Sequence, residues 1–576
     1  MNREAESHFS LAPIDLDMGR SVFRRNNKHL MTVNAADLNC CYIDDVLPGD
    51  TFSLDMGAAI RMTTPIFPVM DNCFVDVWFY FVPNRLVWEH WKEFMGENNL
   101  TAWEQPNEYN VPQITAPEGG WAIGTLADQL GLPIGVEGIE TDAMPFRAYA
   151  LVWNEWYRNQ NTNDPVMVNL DDATVTGVNE WDNTNIAERG QLGALLKVAK
   201  TADYMTSALP QPQKGPAVTI PSITIDGPSP VIGNGQALGL YGVLANDDTN
   251  TPANLGLVYL SGGLDARDTA AGQAVGGSST AGTLPKTSRN IGVSPDANTS
   301  GLIADLSNVT AGAVTINELR QAFAVQKFYE RQALYGSRYI EVVKAFFSVD
   351  SPDARLQRPE YLGGVRFNVN VDQVVQTSAS QQQEGLTTTP QGNTAAYSLT
   401  NYAGNMFTHS FVEHGWVLGL FAIRQKHSYQ QGIPRMFSRK DKFDYYWPVF
   451  ANLGNQAILN KEIFAQGPDV KDDDGNIIDD KAFGYQEAWA EYRYKTDYVS
   501  GKFRSNAPGT LDAWHYADDY DALPMLSAEW MNETDQNIQR TLAVDNEPQF
   551  ICDFYFQNTA SRIMPLYSIP GLIDHH

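Results

Sequence analysis

Residues 73–82, "CFVDVWFYFV", divide into two sets of side chains that are both largely apolar. Cys73, Val75, Val77, Phe79 and Phe81 fall on one face of an extended strand, and Phe74, Asp76, Trp78, Tyr80 and Val82 on the other. A strand with two apolar faces is expected to be covered on both sides, yet an acid, Asp76, stands in its middle. Further β-rich runs predict strands at "TFSLDMGAAIRM" (51–62), "GGVRFNVNVDQVVQT" (363–377), "GWVLGLFAIRQ" (415–425) and "PQFICDFYFQN" (548–558). Strands so widely separated, joined by very long connections, point to a sandwich or jelly roll and not to a meander. The strand–helix rhythm of a parallel sheet is missing.

The helical patterns fall in those connections. "PNRLVWEHWKEFMG" (83–96) has Pro at the start, Gly at the stop, and Val87, Trp91 and Phe94 or Met95 on one stripe. "PFRAYALVWNEWYRNQ" puts Phe146, Tyr149, Val152 or Trp153, and Trp156 at helical spacing. "TINELRQAFAVQKFYERQALYG" opens on Thr315 and Glu318 as a capping box and stops at Gly336.

Aromatic residues set the domain boundaries. From Met205 to Ala322 the only aromatics are Tyr241 and Tyr259, against a chain-wide share of 11%. The same window is rich in small and polar residues, as in "AAGQAVGGSSTAGT", so it reads as a weakly cored, exposed insertion. "PAVTIPSITID", "LGLVYL" and "VTAGAVTI" within it predict short strands, against the alternative of a disordered linker. Three parts result: 1–204, with an N-terminal arm, the first strands and helical loops; 205–312, the insertion; and 313–576, with a helix, the remaining strands and a C-terminal arm.

Composition narrows the class. A membrane span needs about 20 nearly uncharged residues, and Asp76, Pro83 and Arg85 interrupt the most apolar run. Met1 to Leu16 lacks the pattern of a secretion signal, so the chain is expected to be made and kept in the cytoplasm. Four Cys, two of them adjacent (Cys40, Cys41), form neither a disulfide framework nor a metal-binding spacing, and Cys73 and Cys552 are expected to be buried in strands. The net charge of -28 opposes general affinity for nucleic acid, so any such contact must be local or helped by a partner.

No catalytic, cofactor or metal site emerges. His409 and His414 are five residues apart, which does not place both on one helix face. "GNGQALG" (233–239) has the wrong spacing for a dinucleotide loop and reads as a turn. "VKDDDGNIIDD" (470–480) resembles a calcium loop around Gly475, but Val470 and Lys481 then occupy the two key carboxylate positions; a hairpin turn at Asp474-Gly475-Asn476 fits better.

Basic residues gather in two places. Arg24, Arg25 and Lys28 lie near the N-terminus, and Arg435, Arg439 and Lys440 lie among Phe437, Phe443 and Tyr445. Cations interleaved with rings suit a single-stranded nucleic acid, since rings stack on bases while cations follow phosphates. The alternative is a solvated loop with ion pairs between subunits. Trp88, Trp91 and Phe94 are candidates for a subunit interface, because aromatic anchors contribute most per residue there.

"VLPGDTFSLDMGAAIRMTTPIFPVMDNCFVDVWFYFVPNRLVWEHWKEFMG", "RPEYLGG", "YQQGIPRMFSRKDKFDYYWPVFANLGNQ", "FGYQEAWAEYRYK" and "RIMPLYSIPGLIDHH" together resemble the major capsid proteins of gokushovirus-type microviruses, small icosahedral phages with circular single-stranded DNA. The resemblance spans almost the whole chain in order and is weakest over 205–312. It implies an all-β, eight-stranded jelly roll of the viral capsid type with long loop insertions containing a few helices. It further implies a T=1 shell of about sixty copies, no enzymatic activity and a bacterial host. Residues 205–312 become a variable protrusion at the three-fold axes, involved in attachment to a host surface receptor. The implied partners are the single-stranded DNA genome, a small basic DNA-binding protein, and scaffolding or pilot proteins. The rival reading is a secreted β-sandwich that binds carbohydrate or hydrolyses glycosides, with exposed Trp and paired acids as its machinery.

Overall fold

The computed structural model describes residues 19–97, 107–181, 192–215, 358–377, 394–545 and 547–567, with the helix Ile316–Tyr335 and short stretches elsewhere. Contacts divide the chain into two compact units, Met1–Lys214 with Tyr329–His576, and Gly215–Phe328.

The larger unit is built on antiparallel strands: β1 (Ser21–Arg24), β2 (Asn27–Val33), β3 (Asn39–Val46), β4 (Thr51–Met62), β5 (Cys73–Pro83), β6 (Glu360–Asn368), β7 (Thr400–Ser410), β8 (Gly415–Gln425) and β9 (Phe550–Arg562). One sheet has β1 and β2 end to end along the same edge of β9, followed by β4 and β7. The other runs β6-β5-β8-β3. Strands adjacent in space are thus far apart in sequence, with 84–359 between β5 and β6 and 426–549 between β8 and β9. The chain is all-β with few helices.

Alternation explains which residues meet. On β4, Phe52, Leu54, Met56, Ala58, Ile60 and Met62 turn inward together, as do Phe550, Cys552, Phe554 and Phe556 on β9. They pack against Cys73, Val75, Val77, Phe79 and Phe81 of β5 and Val417, Phe421 and Ile423 of β8. The other faces of β5 and β8 are buried too, with Tyr80, Val82, Leu418, Leu420 and Ala422 lying under a second core. That cover comes from the β5–β6 connection, chiefly Trp88, Trp121, Phe146, Tyr149 and Trp153. Both faces of 73–82 are therefore covered, as their pattern predicts.

Register also accounts for Asp76. It pairs with Arg366 on β6 and lies opposite Ala422 on β8. Arg366 Nε donates to Asp76 Oδ1 at 2.5 Å and its Nη2 to Oδ2 at 2.9 Å, while Arg424 Nε reaches Oδ2 at 3.1 Å. Both guanidiniums lie over the Phe74 ring. Two arginines from flanking strands thus neutralise a nearly buried acid, which otherwise is strongly unfavourable in an apolar layer.

Three elements differ from their sequence pattern. The helix expected over 83–96 is a 3₁₀ turn, Asn84–Leu86, followed by the short helix α1 (Trp91–Phe94). The break is tertiary in origin, since the Glu89 amide donates to the Leu170 carbonyl and Trp88 is drawn into the second core. The helix beginning near Phe146 is regular as α2 (Met144–Val152) and widens into a π turn over Trp153–Tyr157. The strand expected over 363–377 is interrupted: after β6 the chain leaves β5, and Val371–Val375 pairs instead with Thr394–Ser398. The helix α3 (Ile316–Tyr335) begins and ends where its sequence predicts. All four cysteines are free and buried.

In the smaller unit, Val231–Gly233 pairs with Leu302–Ala304, Thr224–Ile225 with Val309–Thr310, and Leu240–Leu244 lies between Ala253–Leu255 and Ser288–Val293. The strand expected at 255–260 and the turn at 233–239 lie, apart from Leu255 and Gly233, outside the described residues. Met205, Ala208 and Leu209, at the head of the proposed insertion, are buried in the larger unit.

Candidate functional site

The β8–β9 connection begins with Ser428–Tyr429 beside Asp497–Tyr498 and then runs against 461–465 around Gly432. A Cβ at Gly432 would collide with the Glu462 carbonyl oxygen, so this close approach requires glycine. From Ile433 the chain makes three 3₁₀ turns, Arg435–Phe437, Lys442–Asp444 and Pro448–Phe450. Pro434 and Pro448 rule out ladder pairing at their own nitrogens. Asp441 accepts from the Phe443 amide at 2.7 Å, and Asp444 accepts from the Lys440 and Asp441 amides at 2.6 and 3.0 Å. Trp447 Nε1 donates to the Lys442 carbonyl at 2.7 Å.

These turns hold apolar side chains outward. Phe437 is 71% exposed and Val449 87%, and Met436, Phe443, Tyr445, Tyr446, Trp447 and Leu453 are exposed beside them. Tyr492 lies 6.4 Å from Tyr446, ring to ring, and Phe443 is 6.1 Å from Phe450. A cleft of about 600 Å³ opens alongside, lined by Tyr204, Arg435, Phe437, Tyr492, Tyr494 and Tyr498 among others.

The cations of this stretch are largely spent within the chain. Arg435 Nη2 lies 2.9 Å from Glu462 Oε1, and Arg439 Nη2 lies 3.1 Å from Glu491 Oε1. Burial pushes the Glu462 carboxyl above its ordinary value, while Arg435 pulls it down. Arg439 also stacks on Tyr445 and Tyr492, 5.1 and 4.5 Å from their centroids. Lys440 is exposed and makes no ion pair among the described residues.

The N-terminal cluster lies elsewhere, along β9. Arg25 Nη1 pairs with Asp44 at 2.6 Å and Lys28 Nζ with Asp553 at 3.0 Å; Arg24 is exposed at the end of β1. No hydrogen bond or ion pair among the described residues joins the two clusters. Around the third group of candidates, Trp88 is fully buried in its own chain, with Nε1 donating to Asp172 at 2.6 Å. Its ring supports Phe94, which is 40% exposed, and Trp91, which is half-buried. Only Phe94 and Trp91 therefore offer surface.

Sequence reasoning missed a buried charge node just before Ser428. His427 Nδ1 lies 3.0 Å from Asp518 Oδ1 and its Nε2 3.0 Å from Glu533 Oε1, all three side chains being buried. Lys200 stands 3.9 Å from Asp518 and over the Trp530 ring. Burial alone would lower the His427 pKa, but the two carboxylates reverse this and raise it to about 10. Residues 200, 427, 518 and 533 are too far apart in sequence for any spacing to reveal the cluster. Among the described residues, no group of three His, Cys, Asp or Glu is arranged to hold a metal ion. At 470–480, Asp472 accepts from the Asp474 and Asn476 amides, and Gly475 has φ +82°. That geometry is a closed turn.

A sandwich that displays a cluster of exposed apolar side chains has the character of an interacting protein. The comparisons with known proteins agree. Residues 15–572 match the family described as capsid protein (F protein). The chain is 39% identical to "Capsid protein VP1" of Chlamydia phage 1, with 96% of each chain covered. It is also 39% identical to that of Bdellovibrio phage phiMH2K and 38% identical to that of Spiroplasma virus 4, each over 96% of this chain and 95% of the relative. The chain belongs to the phage capsid protein (F protein) family, as a structural, non-enzymatic capsid protein of the gokushovirus-type microviruses. This identification bears out the sequence resemblance and displaces the secreted carbohydrate-binding reading.

Proposed function

We propose that the chain forms a closed T=1 shell of about sixty copies around a circular single-stranded DNA genome. The observation that carries this reading is the strand order of the two facing sheets. Taking β1 and β2 as one interrupted strand, the orders β2-β9-β4-β7 and β3-β8-β5-β6 interleave the chain as an eight-stranded jelly roll does. Assembly takes place in the host cytoplasm with scaffolding or pilot proteins. Trp91 and Phe94, held from beneath by Trp88, form one subunit contact. Expression of the chain with its scaffolding partners, followed by sedimentation and negative-stain microscopy, is expected to yield uniform closed particles. A small soluble species and no particles would overturn the reading.

Residues 205–312 form the surface protrusion and take part in attachment to a bacterial receptor. Supporting this, most of the stretch falls in the compact unit Gly215–Phe328. Proteolysis of intact particles should cut there first, and particles lacking the segment should assemble but not adsorb to host cells.

Among the DNA-facing candidates, Arg24 and Lys440 keep exposed charges, whereas Arg25, Lys28, Arg435 and Arg439 are offset by acids. A chain at -28 in which most of these candidate cations are offset by acids holds a polyanion weakly. Packaging therefore depends on a small basic DNA-binding protein. Filter binding across a salt series should show weak, steeply salt-dependent binding of single-stranded DNA by the chain alone.

A further inference from the structure

The aromatic surface at 433–453 has no role in the sandwich, because none of its exposed rings belongs to any of the three buried clusters. We propose that this face, with Tyr492 and Tyr494 beside it, is a contact between copies of this chain. The proposal rests on the shell reading and assigns it a second contact, separate from Trp91 and Phe94.

Three observations favour a copy of the chain as the occupant. The first is charge. Arg435, Arg439, Lys440 and Lys442 are matched by Asp441 and Asp444 within the stretch and by Glu462 and Glu491 paired to it. The face is thus a neutral island on a chain at -28. Copies carrying that charge repel one another, and they approach most readily where it is cancelled locally. A polyanion gains little from such a face, because the Arg435 and Arg439 guanidiniums are already engaged by carboxylates and the charges of Lys440 and Lys442 are offset by Asp441 and Asp444.

The second observation is preorganisation. Exposed rings on a floppy loop would lose much entropy on docking, whereas here Asp441, Asp444 and the Trp447 Nε1 bond fix the backbone that carries them. The third is composition. Phe, Tyr, Trp, Met and Arg are the residue types enriched at the cores of protein interfaces, and they dominate this face. Contiguous exposed apolar side chains of this kind mark interaction sites.

A single thiol tests the proposal. All four native cysteines are buried, so Val449→Cys introduces an accessible thiol at an outward position. In the full-length, unassembled chain, Cys introduced at this position should react quickly with a small maleimide. In assembled particles the reaction should slow by about tenfold or more, because an interface core is closed to solvent. The protection should be equal in empty and genome-filled particles. Protection only in filled particles would assign the face to nucleic acid, and rapid reaction in both would leave it a free surface. A slow reaction in the unassembled chain would show that the chain's own segments cover it. Each of these three outcomes overturns the proposal. As a second variant, Val449→Asp should abolish or strongly reduce particle yield while leaving the melting temperature of the unassembled chain unchanged. Wild-type particle yield from that variant would also overturn the proposal. Failure of the wild-type chain to form any particle would instead overturn the shell reading itself.

Discussion

Residues 73–91 carry seven aromatic rings and residues 433–453 carry six. In the first stretch five rings are buried and Trp78 and Trp91 are half-buried; in the second most stand in solvent. The contrast does not come from hydrophobicity. Residues 73–83 are free of helix-breaking caps and rich in Val and Phe, so they form a strand whose period of two supplies both the sandwich core and the cover. Residues 433–453 are punctuated by Pro434, Pro448 and the Asp441 cap, which enforce short turns in place of a sheet. Aromatic density therefore marks burial only where the backbone can present it to a core.

The contrast is broken most severely at Phe79, which is fully buried against Tyr42, Phe407 and Phe556. Phe79→Ala should cost about 3–5 kcal/mol of stability, read by urea denaturation of the unassembled chain. Asp76→Ala, which leaves Arg424 in the apolar layer without its carboxylate, should cost about 2–3 kcal/mol. A loss below that of an ordinary surface substitution would show that the pair is not needed in the covered sheet. Trp88→Phe keeps a ring in the second core but loses the bond to Asp172 and leaves a small void, for about 1–2 kcal/mol. Phe437→Ala should change the stability of the unassembled chain by no more than about 0.5 kcal/mol. A cost at Phe437 approaching that at Phe79 would erase the distinction between the two stretches.

The charge node at His427 gives a pH signature of the larger unit. Its folded pKa of about 10 lies above the ordinary 6.5, so its contribution is complete below pH 6.5 and fades as pH rises through 10. Melting curves of the unassembled chain should fall over that window, and His427→Gln should flatten part of the fall. Parallel curves for the two proteins would remove the node from the account.

Much of this molecule is legible along the chain. The strands at 51–62 and 415–425 match their sequence patterns residue for residue, because alternation is a local property that the pleat reads directly. Helix α3 is legible for a similar reason, since its cap and stop lie within the helix's own neighbourhood. The candidate surface is half legible. The run "DYYWPVF" (444–450) announces rings in a turn-rich segment, while nothing nearby reveals that Glu462 and Glu491 neutralise Arg435 and Arg439.

Sequence by itself determined the β-rich character, the paired apolar faces of β5, the absence of a disulfide framework and the membership in a capsid family. Tertiary structure alone decided that Asp76 is held between Arg366 and Arg424, that Trp88 turns inward while Phe94 stays partly exposed, and that the basic stretch at 435–440 is largely neutral. The physical reason is range. Alternation and capping act between residues a few positions apart, whereas register, burial and ion pairing join residues hundreds of positions apart, and only the folded chain brings those together.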